Sequence, residues 1–412
     1  MNPQVRRVQN IYLLLTLLST LSASLIWGVN TLFLLDAGLS KTEAFTANAF
    51  FTAGQVIFEI PTGVLADIWG RRVSYLLGAA TLLLSTLLYV AMWHTHAPMW
   101  SWAIASVVIG LGFTFFSGAT EAWLVDALKF TGFDGNLESV FAKGQVVLGV
   151  AMLAGSVAGG FVAQLTNLGM PYIVRSALLG LTLVAAFVFM KDLGFTPSRG
   201  KSAMEEVRTV VRASVDNGWR KPPVRWLMLS GPFSMGVGMY AFYALQPYLL
   251  ELYGDKTAYG VAGAAAALVA GTQILGGLVV PLVHRLFARR THVLISTTIV
   301  SIASLAVLGW TSSFWVAIGA VTFWGMAFAA ATPMRQAYLN GLIPSEQRAT
   351  VLSFDNLMAS AGGVVAQPTL GRVADVAGYP ASYLVSAVLQ VVALPFLALA
   401  RREKAGSDRI EG

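Results

Sequence analysis

Six charged side chains stand within long apolar stretches of this sequence, where an unpaired charge is costly. They are four acids and two bases: Glu59, Glu121, Asp126, Asp355, Arg175 and Arg335. A charged side chain at the centre of a bilayer costs roughly 2.5–3.5 kcal/mol on insertion scales, so such residues usually serve a function. Burial favours the protonated form of a carboxyl. We therefore expect proton uptake and ion pairing rather than bond cleavage.

Glu59 is the acid whose surroundings best suit a proton carrier, and Glu121 is the second candidate for proton coupling. Pro61 follows Glu59 closely and lacks an N–H, so a backbone carbonyl one turn earlier loses its usual donor. Glu59 cannot face lipid as an anion, so it is either protonated or paired in the interior. A structural ion pair or a gating contact is the alternative role for Glu59.

The composition indicates a membrane protein and argues against enzyme chemistry. Of the 412 residues, 56% are hydrophobic and 11% are charged, and the mean hydropathy is +0.68. Soluble domains carry about 25% charged residues. Cysteine is absent, so disulfides, thiolate metal sites and cysteine nucleophiles are excluded. The sequence has no phosphate-binding Gly-x4-Gly-Lys loop and no recognisable nucleophilic triad, so we expect no enzyme, no metal and no cofactor.

Twelve apolar stretches are long enough to cross a bilayer as helices, since each crossing needs roughly 20 residues. They cover residues 10–35, 43–67, 73–93, 99–127, 139–165, 171–190, 224–250, 257–283, 291–310, 313–340, 348–371 and 379–400. We therefore predict an all-α membrane protein with twelve transmembrane helices. Its parts are an N-terminal six-helix bundle over 1–190, a basic cytoplasmic linker over 191–223, and a C-terminal six-helix bundle over 224–412.

The basic residues predict an orientation for these spans. With the N-terminus inside, 22 of the 27 Lys and Arg residues lie in inner segments and 3 lie in outer segments. An excess of basic residues marks the cytoplasmic side. We therefore expect a multi-pass protein of the cell membrane with both termini in the cytoplasm. This bias accounts for the net charge of +7 without a nucleic-acid partner.

The two halves of the sequence repeat each other at a nearly constant offset. Leu35–Asp36 corresponds to Leu250–Glu251, 215 residues later, and Arg71–Arg72 corresponds to Arg289–Arg290, 218 residues later. Six spans per half give both halves the same orientation. This predicts a parallel repeat about an axis along the membrane normal, as in secondary transporters that work by alternating access.

A motif between spans two and three carries a family resemblance. It reads Gly63-Val-Leu-Ala-Asp67-Ile-Trp-Gly70-Arg71-Arg72, and it resembles the signature of the major facilitator superfamily at that place. The basic residue that normally follows the acid is replaced by Ile68. The resemblance covers nearly the whole chain and implies the fold of that family, with two pseudo-symmetric six-helix bundles.

The resemblance implies ion pairs that gate the transporter. Gly63 would let a neighbouring helix approach closely, and Gly70 would permit a tight turn. The implied ion-pair and gate residues are Asp67, Arg71, Arg72, Asp126, Arg335 and Asp355. Asp67, Arg71 and Asp126 would form a latch that stabilises the outward-facing state.

Three of the remaining charged groups lie on spans four, ten and eleven. Glu121 and Asp126 are five residues apart, about 140° around a helix, so they cannot share one face. In the family spans one, four, seven and ten line the central cavity, so we expect Glu121 and Arg335 to face each other. Asp355 lies near the start of span eleven, where an acid stabilises a helix N-terminus.

A second resemblance concerns the direction of transport. Gly155-Ser-Val-Ala-Gly159-Gly160 in span five resembles the antiporter motif of bacterial drug:proton antiporters, although Ser156 replaces the usual proline. Glycine packing against span eight is the alternative. The expected substrate contacts on the cavity helices are polar or aromatic side chains: Trp27, Asn30, Tyr240, Tyr243, Gln246 and Trp324.

These features together predict a proton-coupled secondary transporter that exports lipophilic or amphipathic small molecules by alternating access. Its partners would be a small-molecule substrate, protons and the lipid bilayer. The proton gradient would supply the energy, and the protein would act as a monomer. The alternatives are a proton symporter or facilitator that imports a small nutrient, and a membrane receptor or scaffold that does not transport.

Overall fold

The structure is a computed structural model that describes residues 3–197, 205, 208, 212, 215–344 and 348–410. The side chains of residues 217, 273–284 and 349–350 lie outside the description, as does much of the predicted linker. Apart from one isolated bridge between Arg289 and Arg409, the regular structure of these residues is helical. The predicted all-α class is confirmed.

Eight helices form the first half of the chain. They are α1 (Pro3–Ser24), α2 (Asn30–Asp36), α3 (Lys41–Trp69), α4 (Arg71–Thr95), α5 (Met99–Phe116), α6 (Ala119–Phe130), α7 (Leu137–Leu165) and α8 (Met170–Phe189). Two predicted spans are broken in the middle. Span one breaks between α1 and α2, and span four breaks between α5 and α6.

The second half follows a short π-helical turn, Val215–Trp219. Its helices are α9 (Pro222–Gly231), α10 (Val237–Tyr253), α11 (Tyr259–Leu286), α12 (Arg290–Trp310), α13 (Phe314–Asn340), α14 (Arg348–Val391) and α15 (Ala393–Arg402). A second π-helical turn, Pro232–Gly236, joins α9 to α10. Helix α14 holds two predicted spans, which meet at Gly378 with its φ of 82°. All twelve predicted spans therefore lie on helices.

The chain divides into two compact units, each with its own apolar core. Unit 1 contains Met1–Gly38, Phe50–Val207 and Ala258–Ala267, and unit 2 contains Leu39–Ala49, Arg208–Thr257 and Leu268–Gly412. In unit 1, helix α1 packs on α7 and α8, while α4 packs on α5 and α8. In unit 2, helix α12 packs on α13 and α14.

An aspartate caps the start of the third helix of each predicted repeat. In unit 1, the backbone N–H of Arg72 donates to Asp192 Oδ1 at 2.8 Å, at the start of α4. In unit 2, the backbone N–H of Thr291 donates to Asp408 Oδ1 at 2.9 Å, at the start of α12. A carboxylate at a helix N-terminus pairs with unsatisfied N–H groups and with the positive end of the helix dipole. The two acids are 216 residues apart, which matches the sequence repeat.

The two caps differ in their surroundings. The Asp408 side chain is 2% exposed and also accepts a bond from the Thr291 hydroxyl at 3.0 Å. Asp192 is half-buried, and this burial raises the pKa of its carboxyl, although the Arg72 N–H and charge oppose the rise. Asp192 therefore acts mainly as a hydrogen-bond acceptor, a role that asparagine can also fill.

We predict that Asp192→Ala and Asp408→Ala each destabilise the protein by about 1–2 kcal/mol, the range for a lost helix cap. Asp192→Asn should retain most of the stability. Thermal unfolding of the purified protein in detergent measures these effects. Asp134→Ala, which changes an exposed loop residue, is the matched control. Equal unfolding temperatures for Asp134→Ala and Asp408→Ala would contradict the capping role.

Candidate functional site

The strongest charge pair within the spans joins α13 to α14 in unit 2. Arg335 Nε and Nη2 donate to the two oxygens of Asp355 at 3.0 and 2.5 Å. Arg335 also donates to Ser230 Oγ at 3.2 Å and to the Leu227 carbonyl at 3.0 Å, both on α9. A two-bond pair of guanidinium and carboxylate has fixed geometry as well as strength. Arg335 therefore ties three helices of unit 2 together.

This pairing differs from two predictions. We expected Arg335 to face Glu121, but its ion-pair partner in the structure is Asp355. We also expected Asp355 to stabilise a helix start, yet it lies beyond the first two turns of α14. Its carboxylate is 6% exposed, and a buried charge needs a counter-charge more than a helix end does.

Glu59 bonds to a serine at the break in span four. Ser117 Oγ donates to Glu59 Oε1 at 2.6 Å. Ser117 ends α5, and the next residue, Gly118, has a φ of +70° before α6 begins. This left-handed conformation suits glycine, because a side chain there would be strained. Among the described residues, Glu59 has a hydroxyl partner and no ion pair, so it can change its proton without breaking one.

Glu121 owes its position to the same break. Because α6 begins at Ala119, Glu121 is in the first turn of that helix, where a negative charge is favoured by the helix dipole. Its side chain is exposed. The two proton-coupling candidates therefore lie on either side of the Ser117–Gly118 break, and both are in unit 1.

The residues of the family motif make shorter-range contacts than predicted. Arg71 pairs with Asp67 at 2.6 Å, one turn away, and no ion pair of Asp126 is seen within the described part of the chain. Asp67 is 49% exposed, so this pair contributes about 0–1 kcal/mol. The predicted bond from Arg71 to Asp126 is therefore absent from this structure.

The glycines and the second arginine of the motif have separate roles. Gly70 has a φ of 103° and precedes α4, as the predicted tight turn requires. No described heavy atom lies within 4 Å of a Cβ placed on Gly63, so the predicted close approach is not seen there. Arg72 donates to the Phe187 carbonyl at 2.7 Å, which joins α4 to the end of α8.

Arg175 is held in the core of unit 1 rather than at a site. Its side chain is 1% exposed, and its Nε donates to Thr86 Oγ1 on α4 at 3.1 Å. The guanidinium also lies over the ring of Phe113 at 5.7 Å. A cation over an aromatic face gains electrostatic stabilisation when it is desolvated. This environment indicates a structural role.

The antiporter-like glycines of α7 are packing positions. A side chain at Gly155 or Gly159 would collide with α1, at the Ser24 hydroxyl or the Leu25 carbonyl. A Cβ on Gly160 would lie 2.9 Å from the Cα of Gly263, at the start of α11. The predicted glycine packing therefore exists, and it involves the broken span one as well as span eight.

A cavity of about 400 Å³ lies within unit 2. Its wall combines the Arg335–Asp355 pair with aromatic, aliphatic and uncharged polar side chains from five helical segments. Segments α12, α13 and α14 supply most of the lining, and the π-helical turn Pro232–Gly236 contributes from the side of α10. Cavities of about 300–1,000 Å³ hold drug-sized ligands.

Of the predicted substrate contacts in unit 2, Trp324 lines this cavity. Tyr240 is fully buried and bonds to Ser382 Oγ at 2.5 Å, so it packs rather than binds. Tyr243 contacts the ring of Phe242 edge-on at 5.5 Å, and Gln246 is 2% exposed. The described lining of the cavity includes neither of them.

The two predicted contacts of unit 1 flank the break in span one. Trp27 lies in the turn between α1 and α2. Asn30 begins α2 and accepts a hydrogen bond from the Tyr172 hydroxyl at 2.9 Å. The amide oxygen of Asn30 is therefore engaged by α8.

A cluster around Asp375 was not predicted as a site. The backbone N–H groups of Lys41 and Thr42 donate to its two carboxylate oxygens at 3.0 and 2.8 Å, which caps α3 within unit 2. The Lys41 ammonium lies 4.1 Å from the ring centre of Tyr379. The signal in the sequence is the Gly371-Arg-Val-Ala-Asp375 segment, which repeats the spacing of Gly63 and Asp67.

Comparison with known proteins decides the family. A model described as Major Facilitator Superfamily matches residues 12–287 and 233–411. The chain belongs to the major facilitator superfamily. It is therefore a multi-pass membrane protein and a secondary transporter of this type. The expected resemblance to that family is confirmed.

The curated relatives and solved structures agree with this assignment. An uncharacterized MFS-type transporter of Bacillus subtilis is 21% identical over 372 residues, which cover 88% of each chain. Another, from Methanocaldococcus jannaschii, is 18% identical over 86% of this chain and 88% of its own. The nucleoside transporter NupG has a similar structure, with a TM-score of 0.76 at 10% identity over 97% of this chain and 99% of its own. A POT family transporter gives 0.72 at 12% identity over 96% of each chain.

We predict that Asp355→Asn destabilises unit 2 by about 3 kcal/mol, because it leaves the guanidinium of Arg335 without its counter-charge. The double variant Arg335→Gln with Asp355→Asn should lose less than the sum of the two single changes, since the pair is coupled. Thermal unfolding in detergent measures both. Asp216→Asn, which breaks an exposed pair with Arg220, is the control and should cost at most about 1 kcal/mol. Equal losses for Asp216→Asn and Asp355→Asn would show that the buried pair contributes nothing special.

Proposed function

We propose that this transporter is a proton-coupled antiporter that exports lipophilic or amphipathic small molecules by alternating access. The observation that carries the proposal is the bond between Glu59 and Ser117. It gives a carboxyl within an apolar span a neutral partner, and that partner lies at a helix break. A carboxyl without an ion-pair partner can exchange a proton at low cost to the surrounding structure.

The break gives the proton a route to the rest of unit 1. Protonation of Glu59 removes the negative charge to which the Ser117 hydroxyl donates, and hydrogen bonds to charged acceptors are the stronger ones. The bond weakens, and the angle between α5 and α6 at Gly118 is released. Helix α6 carries Glu121 and Asp126, so a proton on Glu59 changes the position of both acids. Substrate and proton then compete through one conformational equilibrium.

Two observations support the remaining parts of the proposal. The cavity of unit 2 is mostly apolar, and its one charged pair is internally neutralised, which suits lipophilic cargo. The Gly155–Gly160 run resembles that of drug:proton antiporters and supports export. The basic residues on the predicted inner segments place the termini in the cytoplasm of a cell-membrane protein. The protein works as a monomer without a cofactor, and the proton gradient supplies the energy.

Proton counterflow in proteoliposomes tests the proposal. Vesicles with an imposed pH gradient and an internal pH dye are exposed to a panel of lipophilic cations and neutral drugs. We expect substrate-dependent proton movement in the wild type, its loss in Glu59→Gln, and its retention in Glu121→Gln. Asp134→Asn is the matched control for the removal of an exposed acid.

Ser117 provides an independent check on the same mechanism. Ser117→Ala should slow proton-coupled transport about fivefold, the equivalent of about 1 kcal/mol for one lost hydrogen bond. Ser117→Thr keeps the hydroxyl and should remain active. If Glu59→Gln still moves protons, Glu59 is not the carrier. If no compound moves protons while a small nutrient is taken up, the protein is an importer.

A further inference from the structure

The cavity of unit 2 has no net charge to offer a ligand. Arg335 spends its hydrogen bonds on Asp355, Ser230 and the Leu227 carbonyl, so little donor capacity remains. The other described lining residues are uncharged. A charged ligand would lose its hydration without gaining a counter-charge, which is unfavourable in a buried site. The ligand that fits is therefore uncharged.

Two buried N–H donors on the cavity wall have no protein acceptor. Trp324 is 8% exposed and Gln390 is 5% exposed, and both line the cavity. Gln390 Oε1 accepts from Ser301 Oγ at 2.9 Å, which leaves the amide nitrogen of Gln390. Within the described part of the chain, neither this nitrogen nor the Trp324 indole nitrogen has a hydrogen-bond partner. Buried donors normally have acceptors, so these two call for one from a ligand or water.

The hydroxyls of the wall do not compete for that acceptor. Thr297 and Thr298 donate to carbonyls of their own helix, Val293 and Leu294, at 2.8 and 2.7 Å. A hydroxyl that donates to the backbone has no further proton to give. The donors of the wall are therefore amide and indole N–H groups, and the rest of the described surface is largely apolar.

We propose that unit 2 by itself holds a binding site for an uncharged molecule with an apolar body and one hydrogen-bond acceptor, such as a ketone, ester or amide carbonyl. Trp324 and Gln390 donate to the carbonyl oxygen. Apolar side chains such as Phe328 and Leu397 contact the body of the ligand. The identification of this ligand as the exported cargo rests on the proposed function, whereas the binding does not.

Benzophenone is a suitable probe, because it is neutral, carries one carbonyl and inserts into nearby C–H bonds under light. The purified full-length protein is irradiated with increasing benzophenone, and the labelled peptides are identified by mass spectrometry. We expect saturable labelling on segments of α12, α13 and α14 that line the cavity. Phenyl benzoate, which has a carbonyl, should compete about tenfold better than diphenylmethane, which has none.

Variants of the two donors show whether they make the site. Trp324→Phe and Gln390→Leu should each weaken half-saturation by about three- to tenfold, the effect of one lost hydrogen bond. Trp310→Phe changes an indole that is 86% exposed and should have no effect. Labelling spread over the lipid-facing helices, or equal competition by both competitors, would overturn the proposal.

The experiment separates this proposal from the transport proposal. If saturable labelling of the cavity persists while no compound drives proton movement, the binding site stands and the antiporter proposal falls. If lipophilic compounds drive proton movement while the cavity is not labelled, the transport proposal stands and this site does not exist.

Discussion

The structure depends on how a charge is compensated where water is absent. Insertion of a charged side chain into hydrocarbon costs several kcal/mol, so each such group needs a partner close at hand. Arg335 and Asp355 compensate each other in two hydrogen bonds, and the arginine reaches α9 as well. Arg175 is bonded to Thr86 and covered by an aromatic ring. These groups are structural because their compensation is thorough.

Glu59 is different because its compensation is a single neutral hydroxyl. A serine bond can be lost and remade as the proton comes and goes, whereas a two-bond ion pair would have to be broken at a cost of several kcal/mol. The bond also lies at the place where Gly118 interrupts span four. The acid with the weakest partner is thus next to the most easily bent point of its helix neighbour, and this combination makes it suitable for coupling.

Helix interruptions give the spans their polar chemistry. Continuous helices use all their backbone groups, whereas a break releases N–H groups and carbonyls and creates new helix ends. The break at Ser117–Gly118 provides the hydroxyl for Glu59 and the helix start at which Glu121 lies. The π-helical turn Pro232–Gly236 contributes to the cavity of unit 2. Breaks of this kind at binding sites are typical of secondary transporters.

The sequence predicted the spans and the family well, because both depend on local composition and on a contiguous motif. The predicted partner of Arg335 was wrong, since a pairing between two helices depends on their rotation, and the sequence of one helix does not fix that rotation. The role of Ser117 was missed for a related reason: a serine before glycine in an apolar run has no visible acid partner until α3 and α5 are placed side by side. The Asp192 and Asp408 caps were foreshadowed by the constant offset of the repeat, although neither acid belongs to the motif.

The central claim is that Glu59 takes up and releases the transported proton. Infrared difference spectroscopy of the reconstituted protein measures this directly, because a protonated carboxylic acid has its own carbonyl stretching band. A substrate-induced difference spectrum is recorded for the wild type, Glu59→Gln and Asp134→Asn. The account predicts a carboxylic acid band that changes on substrate addition in the wild type and in Asp134→Asn, and that is absent in Glu59→Gln. The same band in Glu59→Gln would contradict the account and assign the proton to another acid.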